Sequence, residues 1–153
     1  MEKSPPTILK TRFLQALFPD SYFIVILRHP VANAYATQKW SETGIYSLFE
    51  HWLACHEIFH RDKQHLKNVL VLKYEDFVKE PDAYLEKIYG FLGIPGHPRT
   101  VEVRSNVNER YFALWQSAID RRSLLTRKLR AFKYRKIEEE VDKFGYSLYK
   151  LEG

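Results

Sequence analysis

Two short apolar runs constrain the fold of this chain more than any other feature. They are SYFIVILR (residues 21–28) and NVLVLKY (68–74), and both are rich in branched aliphatic residues. Runs of this length and composition are typical of strands buried on both faces of a parallel sheet. Because segments with helical periodicity flank and separate them, the pattern predicts an α/β layered fold.

Helical periodicity and terminus signals place the remaining elements. The sequence predicts helices over residues 7–18, 30–40, 45–66, 81–93 and about 118–143. In the first of these, Leu9, Phe13 and Leu17 recur at helical spacing, which indicates an amphipathic helix. Gly93 is the expected C-cap of the fourth helix. Residues 94–112 are expected to be mostly loop.

Length and composition fit one globular domain. The 153 residues are 45% hydrophobic and 15% aromatic, which is unlike a disordered or fibrous chain. The longest purely apolar run, from Tyr22 to Leu27, is far shorter than the roughly 20 residues that span a membrane. No signal-peptide pattern follows Met1. A single cysteine, Cys55, excludes an internal disulfide and a multi-cysteine zinc site.

The net charge of +5 comes from one segment of the chain. Eight basic residues and no acidic ones lie between Arg121 and Lys136; removing these eight from the 24 basic residues leaves 16 against 19 acidic ones. Such a segment can meet a polyanion or a phosphorylated ligand. It can equally be a solvated helix face balanced by the acidic residues among positions 138–142. Both interpretations stay open at this point.

The stretch FIVILRHP places an arginine where α/β sheets bind ligands. Arg28 follows the first predicted strand, and ligands of parallel sheets lie beyond the carboxyl ends of the strands, beside the next helix N-terminus. A guanidinium can make a forked contact with a phosphate, and a helix N-terminus favours an anion. Thr37 and Ser41 are the hydroxyls available to complete an anion pocket. The alternative is a structural arginine paired with a carboxylate.

The second run ends in Tyr74, which we expect at the same edge of the sheet. Its ring is a candidate to stack on a base, although packing into the core is the commoner fate of a lone tyrosine. Glu75 and Asp76 are expected to cap the following turn rather than to act in catalysis.

The order of these motifs resembles a known enzyme family. A strand followed by RHP and a helix, a middle helix, a strand ending in KYEDF, then PDAYLEKIYGFLGIP and a terminal FGY resemble the 3′-phosphoadenosine-5′-phosphosulfate (PAPS)-dependent sulfotransferases. The opening EKSPP with LQALFPDSYFIVILRHP is similar to the carbohydrate or Golgi-type branch. The resemblance implies a P-loop-NTPase-like three-layer α/β sandwich with an incomplete parallel sheet. It also implies one partial sulfotransferase domain over residues 1–153.

The resemblance implies roles for particular residues. Arg28 matches the arginine that binds the 3′-phosphate of PAPS. The usual serine partner, eight positions later, is Ala36 here, which leaves Thr37 or a backbone amide to replace that contact. Tyr74 matches a position that lies against the adenine in several members. Lys3 matches a lysine close to the transferred sulfonate, where an ammonium would stabilise the charge developing on the oxygens.

Other parts of the family's donor site have no counterpart in the sequence. The Lys/Gly/Thr loop for the 5′-phosphosulfate and the general base precede the EKSP region in the family. Here no glycine precedes Gly44 and no Gly-Thr pair occurs. The C-terminal Arg-Lys-Gly loop is not recognisable either, although basic residues between Arg127 and Lys136 are candidates to replace it. We therefore expect a C-terminal portion of a larger domain, with little or no transferase activity by itself.

Several other residues carry weaker signals. His56 and His60 lie four apart on the middle helix, but no third ligand suggests itself and no metal is expected. Cys55 has no basic neighbour to activate it, so we expect a core or half-buried thiol. Trp115 is expected to anchor the core, although Trp115 or Tyr111 is also a candidate for an acceptor cleft.

Three hypotheses for the function follow. The first is transfer of a sulfonate from PAPS, without a metal, to a hydroxyl or amine of a carbohydrate or protein-tyrosine acceptor. The second is a non-catalytic remnant that binds adenosine 3′,5′-bisphosphate or a partner chain. The third, a nucleic-acid binder using residues 121–136, is disfavoured because the sequence has no glycine-aromatic RNA motif. A Golgi location is expected if an N-terminal anchor precedes the chain, and a cytoplasmic one otherwise.

Overall fold

The described part of this protein consists of helices and a small parallel sheet. The computed structural model describes residues 5–120 and 124–151. The strands in these residues are Tyr22–Leu27 (β1) and Asn68–Lys73 (β2). The helices are Thr11–Leu17 (α1), Pro30–Gln38 (α2), Ile45–Lys63 (α3), Tyr74–Lys79 (α4), Pro81–Leu92 (α5), Glu109–Asp120 (α6) and Leu124–Asp142 (α7). Short 3₁₀ helices lie at Pro5–Lys10 and Ser105–Val107. The predicted mixed α/β class is confirmed.

The chain divides into two compact units, each built from two separate segments. The sheet unit comprises Met1–Leu27 and Ala54–Ser105, and the helical unit comprises Arg28–Leu53 and Asn106–Gly153. Helix α3 crosses from one unit to the other, so its first half belongs to the helical unit and its second half to the sheet unit.

Strands β1 and β2 pair in parallel, as their apolar sequences predict, with Tyr22 opposite Asn68 at the start. Val25 is buried, whereas Ile24 and Ile26 are 37% and 53% exposed. The expectation that β1 is buried on both faces is therefore wrong. Successive side chains of a strand point to opposite faces, and the described residues cover only one face of β1.

Helix α1 buries its polar side rather than its apolar stripe. Phe13 and Leu17 are 62% and 55% exposed, whereas Gln15 is buried. The Gln15 side-chain amide donates to the Pro19 carbonyl at 2.6 Å, and its Oε1 accepts from the backbone N–H of Lys67 at 3.0 Å. Because a buried amide must be hydrogen-bonded, these contacts decide which face of the helix turns inward.

Two predicted element boundaries are wrong. The helix expected over residues 7–18 is a 3₁₀ helix followed by the shorter α1. In place of one helix over 118–143, the described residues form α6 and α7, and α6 begins at Glu109, inside the segment expected to be loop. Tyr111 and Trp115 are both buried and lie four residues apart, so they form one face of α6.

The last part of the sheet unit is fixed by a helix cap and an ion pair. Helix α5 begins at Pro81 and ends before Gly93, whose φ of 65° is left-handed and costs a glycine little. The predicted C-cap is thus confirmed. Arg99 donates to Asp82 at 2.9 Å, which ties the following loop to the first turn of α5.

An aromatic cluster forms the core of the helical unit. Phe49 of α3, Trp115 of α6 and Tyr134 of α7 meet edge-to-face, with ring centroids 5.3 to 6.1 Å apart. Trp115 also donates its indole N–H to the Leu148 carbonyl at 2.6 Å. Because Trp115 is only 2% exposed, its predicted role as a core anchor is confirmed, and it offers no open face to an acceptor.

The segment after α7 is held against this core by one carboxylate. Glu138 accepts from the backbone N–H of Leu148 at 2.6 Å and from the hydroxyl of Ser147 at 2.5 Å. Leu148 is fully buried. Tyr146, from the terminal FGY motif, packs edge-to-face on Trp52 with ring centroids 5.9 Å apart. Tyr146 and Leu148 are therefore part of the core.

Candidate anion-binding site

Arg28 directly follows β1 and is fixed through both its backbone and its side chain. Its carbonyl accepts from the indole N–H of Trp52 at 3.1 Å. Its Nε and Nη2 both donate to Oδ1 of Asn108, at 3.0 and 2.7 Å. Asn108 is buried, and an amide oxygen is neutral, so this contact orients the guanidinium without cancelling its charge.

Asn108 also lies directly before α6, which begins at Glu109. Its backbone carbonyl accepts from the N–H groups of Tyr111 and Phe112, at 2.9 and 3.0 Å. The residue that precedes the helix is thus the residue that holds Arg28, although 80 positions separate Asn108 and Arg28 in sequence. The start of α6 and the strand-end arginine are therefore joined through one side chain.

Three cations converge on the ring of Tyr111. The Cζ atoms of Arg28 and Arg110 lie 5.6 and 4.5 Å from its centroid, and Nζ of Lys39 lies 5.4 Å away. Arg110 also donates a hydrogen bond to the Tyr111 hydroxyl. Tyr111 itself is buried. Cations at these distances are attracted to the negative face of an aromatic ring. This attraction offsets part of the repulsion between the three positive charges around Tyr111.

The same cations alter the acidity of Tyr111. Burial raises the pKa of this tyrosine, whereas hydrogen bonds and positive charge from Arg110 and Lys39 lower it. The lowering is the larger effect, so the pKa lies below the ordinary 10.0. A depressed tyrosine pKa in a buried position is a sign of strong positive potential at the hydroxyl. The site is therefore suited to an anion.

Tyrosine titration checks this potential. We expect one of the ten tyrosines to ionise below the others in an ultraviolet absorbance titration, and Tyr111→Phe to remove that early step. Lys39→Gln is expected to move the step to higher pH, because the phenolate loses a neighbouring cation. The pKa of Tyr111 is lower in the folded protein than the 10.0 of an unfolded tyrosine. The free energy of unfolding is therefore expected to increase as the pH rises from the folded pKa to 10.0. An unchanged early step in Tyr111→Phe would assign it to another tyrosine.

His29, the middle residue of the RHP motif, has a structural position that the sequence did not reveal. It is fully buried, and its Nδ1 accepts from the backbone N–H of Val31, so it caps α2. Its ring packs edge-to-face on Phe112 and Tyr146, with centroids 4.7 and 5.3 Å away. Because Pro30 has no N–H and that of Val31 is bonded to His29, the first turn of α2 offers fewer donors to an anion than expected.

The hydroxyls expected near Arg28 have different surroundings. Thr37 is exposed on α2 and donates to Oδ1 of Asn33 at 3.3 Å. Ala36 is half-buried on the same helix. The Ser41 hydroxyl is buried and has no hydrogen-bond partner among the described residues. The role of Thr37 as a replacement for the serine contact stays a prediction.

The other predicted donor-site residues lie elsewhere or outside the described residues. Tyr74 is half-buried at the first position of α4, in the sheet unit. Arg135 pairs with Glu139 at 3.0 Å, which is the arrangement of a solvated, balanced helix face at that position. Outside the described residues or side chains lie Lys3, Arg121, Arg122, Arg127, Lys128, Arg130 and Lys133.

The weaker candidates form no metal-binding group among the described residues. Cys55 is half-buried, as expected, and burial raises the pKa of its thiol. His56 is buried and His60 is exposed, and the described side chains include no group of three or more His, Cys, Asp or Glu able to hold a metal. Over residues 5–120 and 124–151, no helix has the length and apolar character needed to cross a membrane.

Sequence patterns did not reveal Lys39, Asn108 and Arg110. Lys39 follows α2 and Arg110 lies in the first turn of α6, so no spacing rule links them. The one available signal is local: the NERY stretch at residues 108–111 puts an N-terminal capping residue and a cation beside a tyrosine.

Comparison with known proteins identifies the family. Residues 1–99 match the family model described as "Sulfotransferase family". The match includes Arg28 and Lys39 and ends before Asn108 and Arg110. A search of the curated proteins found no match. Because the matched residues make up well over half of the chain, the protein belongs to the Sulfotransferase family.

Proposed function

We propose that this protein uses PAPS as the donor of a sulfonate, and that Arg28 binds the 3′-phosphate of that nucleotide. The supporting observation is the arginine at the carboxyl end of β1, whose guanidinium is held by the neutral oxygen of Asn108. Membership of the family implies sulfonyl transfer in general. The position of Arg28 adds the reason for a phosphorylated nucleotide, since a strand end is where α/β sheets bind such ligands.

The residues around Arg28 suit a phosphate group. A phosphate monoester carries close to two negative charges at pH 7 and accepts several hydrogen bonds. Arg28, Lys39 and Arg110 supply three positive charges within 5.6 Å of one ring centroid. Because His29 already caps α2, these side chains contribute more to the site than the backbone N–H groups of the helix do.

The remaining assignments of the proposal rest on the resemblance. PAPS supplies the activated sulfonate when it is bound. Tyr74 would lie against the adenine, and Thr37 would replace the serine contact that Ala36 lacks. Lys3 would stabilise negative charge on the sulfonate oxygens by its ammonium group. For the acceptor we propose a hydroxyl or amine of a carbohydrate or protein tyrosine, in the Golgi lumen if the protein is anchored there.

Isothermal titration calorimetry of the purified chain tests the proposal. Adenosine 3′,5′-bisphosphate is expected to bind at least about tenfold more tightly than adenosine 5′-monophosphate, because one charge-assisted contact with the 3′-phosphate contributes about 1.5–3 kcal/mol. Equal affinities for the two nucleotides, or binding of neither, would contradict the proposed donor.

A turnover assay separates transfer from binding alone. The sequence contains no counterpart of the Lys/Gly/Thr loop for the 5′-phosphosulfate, which favours the non-catalytic alternative for the chain by itself. Labelled PAPS incubated with simple phenol and sugar acceptors would yield labelled product if the chain transfers sulfonate. Tight bisphosphate binding without product would instead support a nucleotide-binding remnant.

A further inference from the structure

Lys39 and Arg110 are two cations to which the family match assigns no role. Both are exposed, and no ion pair among the described residues includes either one. Arg110 donates to the Tyr111 hydroxyl, and Lys39 also acts on that hydroxyl through a hydrogen bond and its charge. Two long cationic side chains thus interact with the same hydroxyl oxygen instead of extending into solvent.

Arg28 adds a third charge to the same ring from a fixed position. Each of the three cationic groups lies within 5.6 Å of the Tyr111 centroid, so any two lie within about twice that distance. Like charges this close repel one another, and the repulsion weakens when an anion binds between them. The buried ring of Tyr111 keeps the three groups together without supplying a full negative charge.

We propose that Lys39 and Arg110 are anion-binding residues that act together with Arg28 on a phosphate monoester, and that Tyr111 positions them. The identity of the ligand rests on the proposed function: the phosphate is the 3′-phosphate of the nucleotide. Lys39 and Arg110 thereby replace the contact that a serine at position 36 would make, since Ala36 has no hydrogen-bonding side chain.

Charge decides which group of the donor occupies this site. A phosphate monoester carries close to two negative charges at neutral pH, whereas a sulfate monoester carries one. Three cations around one tyrosine therefore favour a phosphate ester over a sulfated product or acceptor. The arginine fork adds directional donors, while the lysine contributes a mobile point charge that follows the anion.

Calorimetry with single variants tests the two residues. The probes are inorganic phosphate, adenosine 5′-monophosphate and adenosine 3′,5′-bisphosphate. Lys39→Gln and Arg110→Gln are each expected to weaken bisphosphate binding about tenfold, and to leave the weaker monophosphate binding nearly unchanged. Lys87→Gln is the matched control, since Lys87 also lies over a tyrosine ring, 5.7 Å from the centroid of Tyr84, but in the sheet unit.

A spectroscopic readout excludes a merely structural effect. Saturation with inorganic phosphate is expected to raise the pKa of Tyr111, because a bound anion disfavours the phenolate. The shift is expected to disappear in the Lys39→Gln, Arg110→Gln double variant. Circular dichroism of each variant verifies that it is folded.

The outcomes distinguish this inference from the proposed function. If Lys39→Gln and Arg110→Gln bind the bisphosphate as tightly as the parent while Arg28→Lys binds it more weakly, the inference is wrong and the proposed donor stands. If inorganic phosphate binds through Lys39 and Arg110 but the bisphosphate binds no better, the anion site stands and the proposed donor is wrong. Binding of none of the probes overturns both.

Discussion

Replacing Phe49 with alanine is expected to remove about 3–5 kcal/mol from the free energy of unfolding. Phe49 has no exposed surface, and its ring meets Trp115 and Tyr134 at 5.3 and 6.1 Å. The substitution removes buried apolar surface, leaves a cavity and breaks two edge-to-face contacts. A typical domain is stable by about 5–15 kcal/mol, so this loss is expected to remove a large fraction of the total stability.

Urea denaturation followed by tryptophan fluorescence measures this loss, because Trp115 lies in the affected cluster. Phe132→Ala is the matched control: Phe132 is 81% exposed, so its removal is expected to change the free energy by no more than about 0.5 kcal/mol. Equal losses for the two variants would show that the aromatic cluster does not form as described.

Arg28→Ala is expected to weaken the binding of adenosine 3′,5′-bisphosphate by roughly a hundredfold, about 3 kcal/mol. The substitution removes the guanidinium that Asn108 orients at the end of β1. The remaining cations, Lys39 and Arg110, keep part of the attraction for the phosphate. Arg28→Lys retains the charge but loses the fork, so a smaller loss of about tenfold is expected. Calorimetry measures all three proteins.

Two further variants separate binding from stability. Arg61→Ala removes an exposed arginine that pairs with Asp62 at 3.5 Å, and it is expected to leave nucleotide affinity unchanged. Asn108→Asp keeps the acceptor for Arg28 but adds a negative charge, so the melting temperature is expected to hold while affinity falls. Full affinity in Arg28→Ala would mean that the arginine serves the fold alone.

Much of the sheet could be predicted from the sequence, but not which faces are covered. The runs that contain Ile24 and Leu70 predict two strands, and they pair in parallel as expected. An unbroken apolar run, however, does not distinguish a strand covered on both faces from one covered on a single face, as β1 is. Likewise the spacing of Phe13 and Leu17 predicts a helix, yet the hydrogen bonds of Gln15 turn the other side inward.

The part of the candidate site that could be predicted from the sequence is Arg28, because it directly follows a predicted strand. The position of Arg28 depends on local sequence, because the strand pattern and the RHP turn place it. Its partner Asn108 is set by the packing of α6, and no short-range pattern reports a contact across 80 positions. The same holds for Lys39, which follows α2, and Arg110, which lies in α6; both lie close to the Tyr111 ring.

The split of the helical unit into Arg28–Leu53 and Asn106–Gly153 has a consequence during synthesis. At about 5–20 residues per second, the ribosome adds Asn108 roughly 4–16 s after Arg28. Phe49 cannot make its ring contact until Trp115 has been synthesised, and Trp115 cannot donate its hydrogen bond until Leu148 has been synthesised. Until then the aromatic side chains of the first segment are exposed. Synthesis of Leu148, rather than early local folding, is therefore the step that must precede formation of this unit, and a chaperone that binds aromatic residues would act before it.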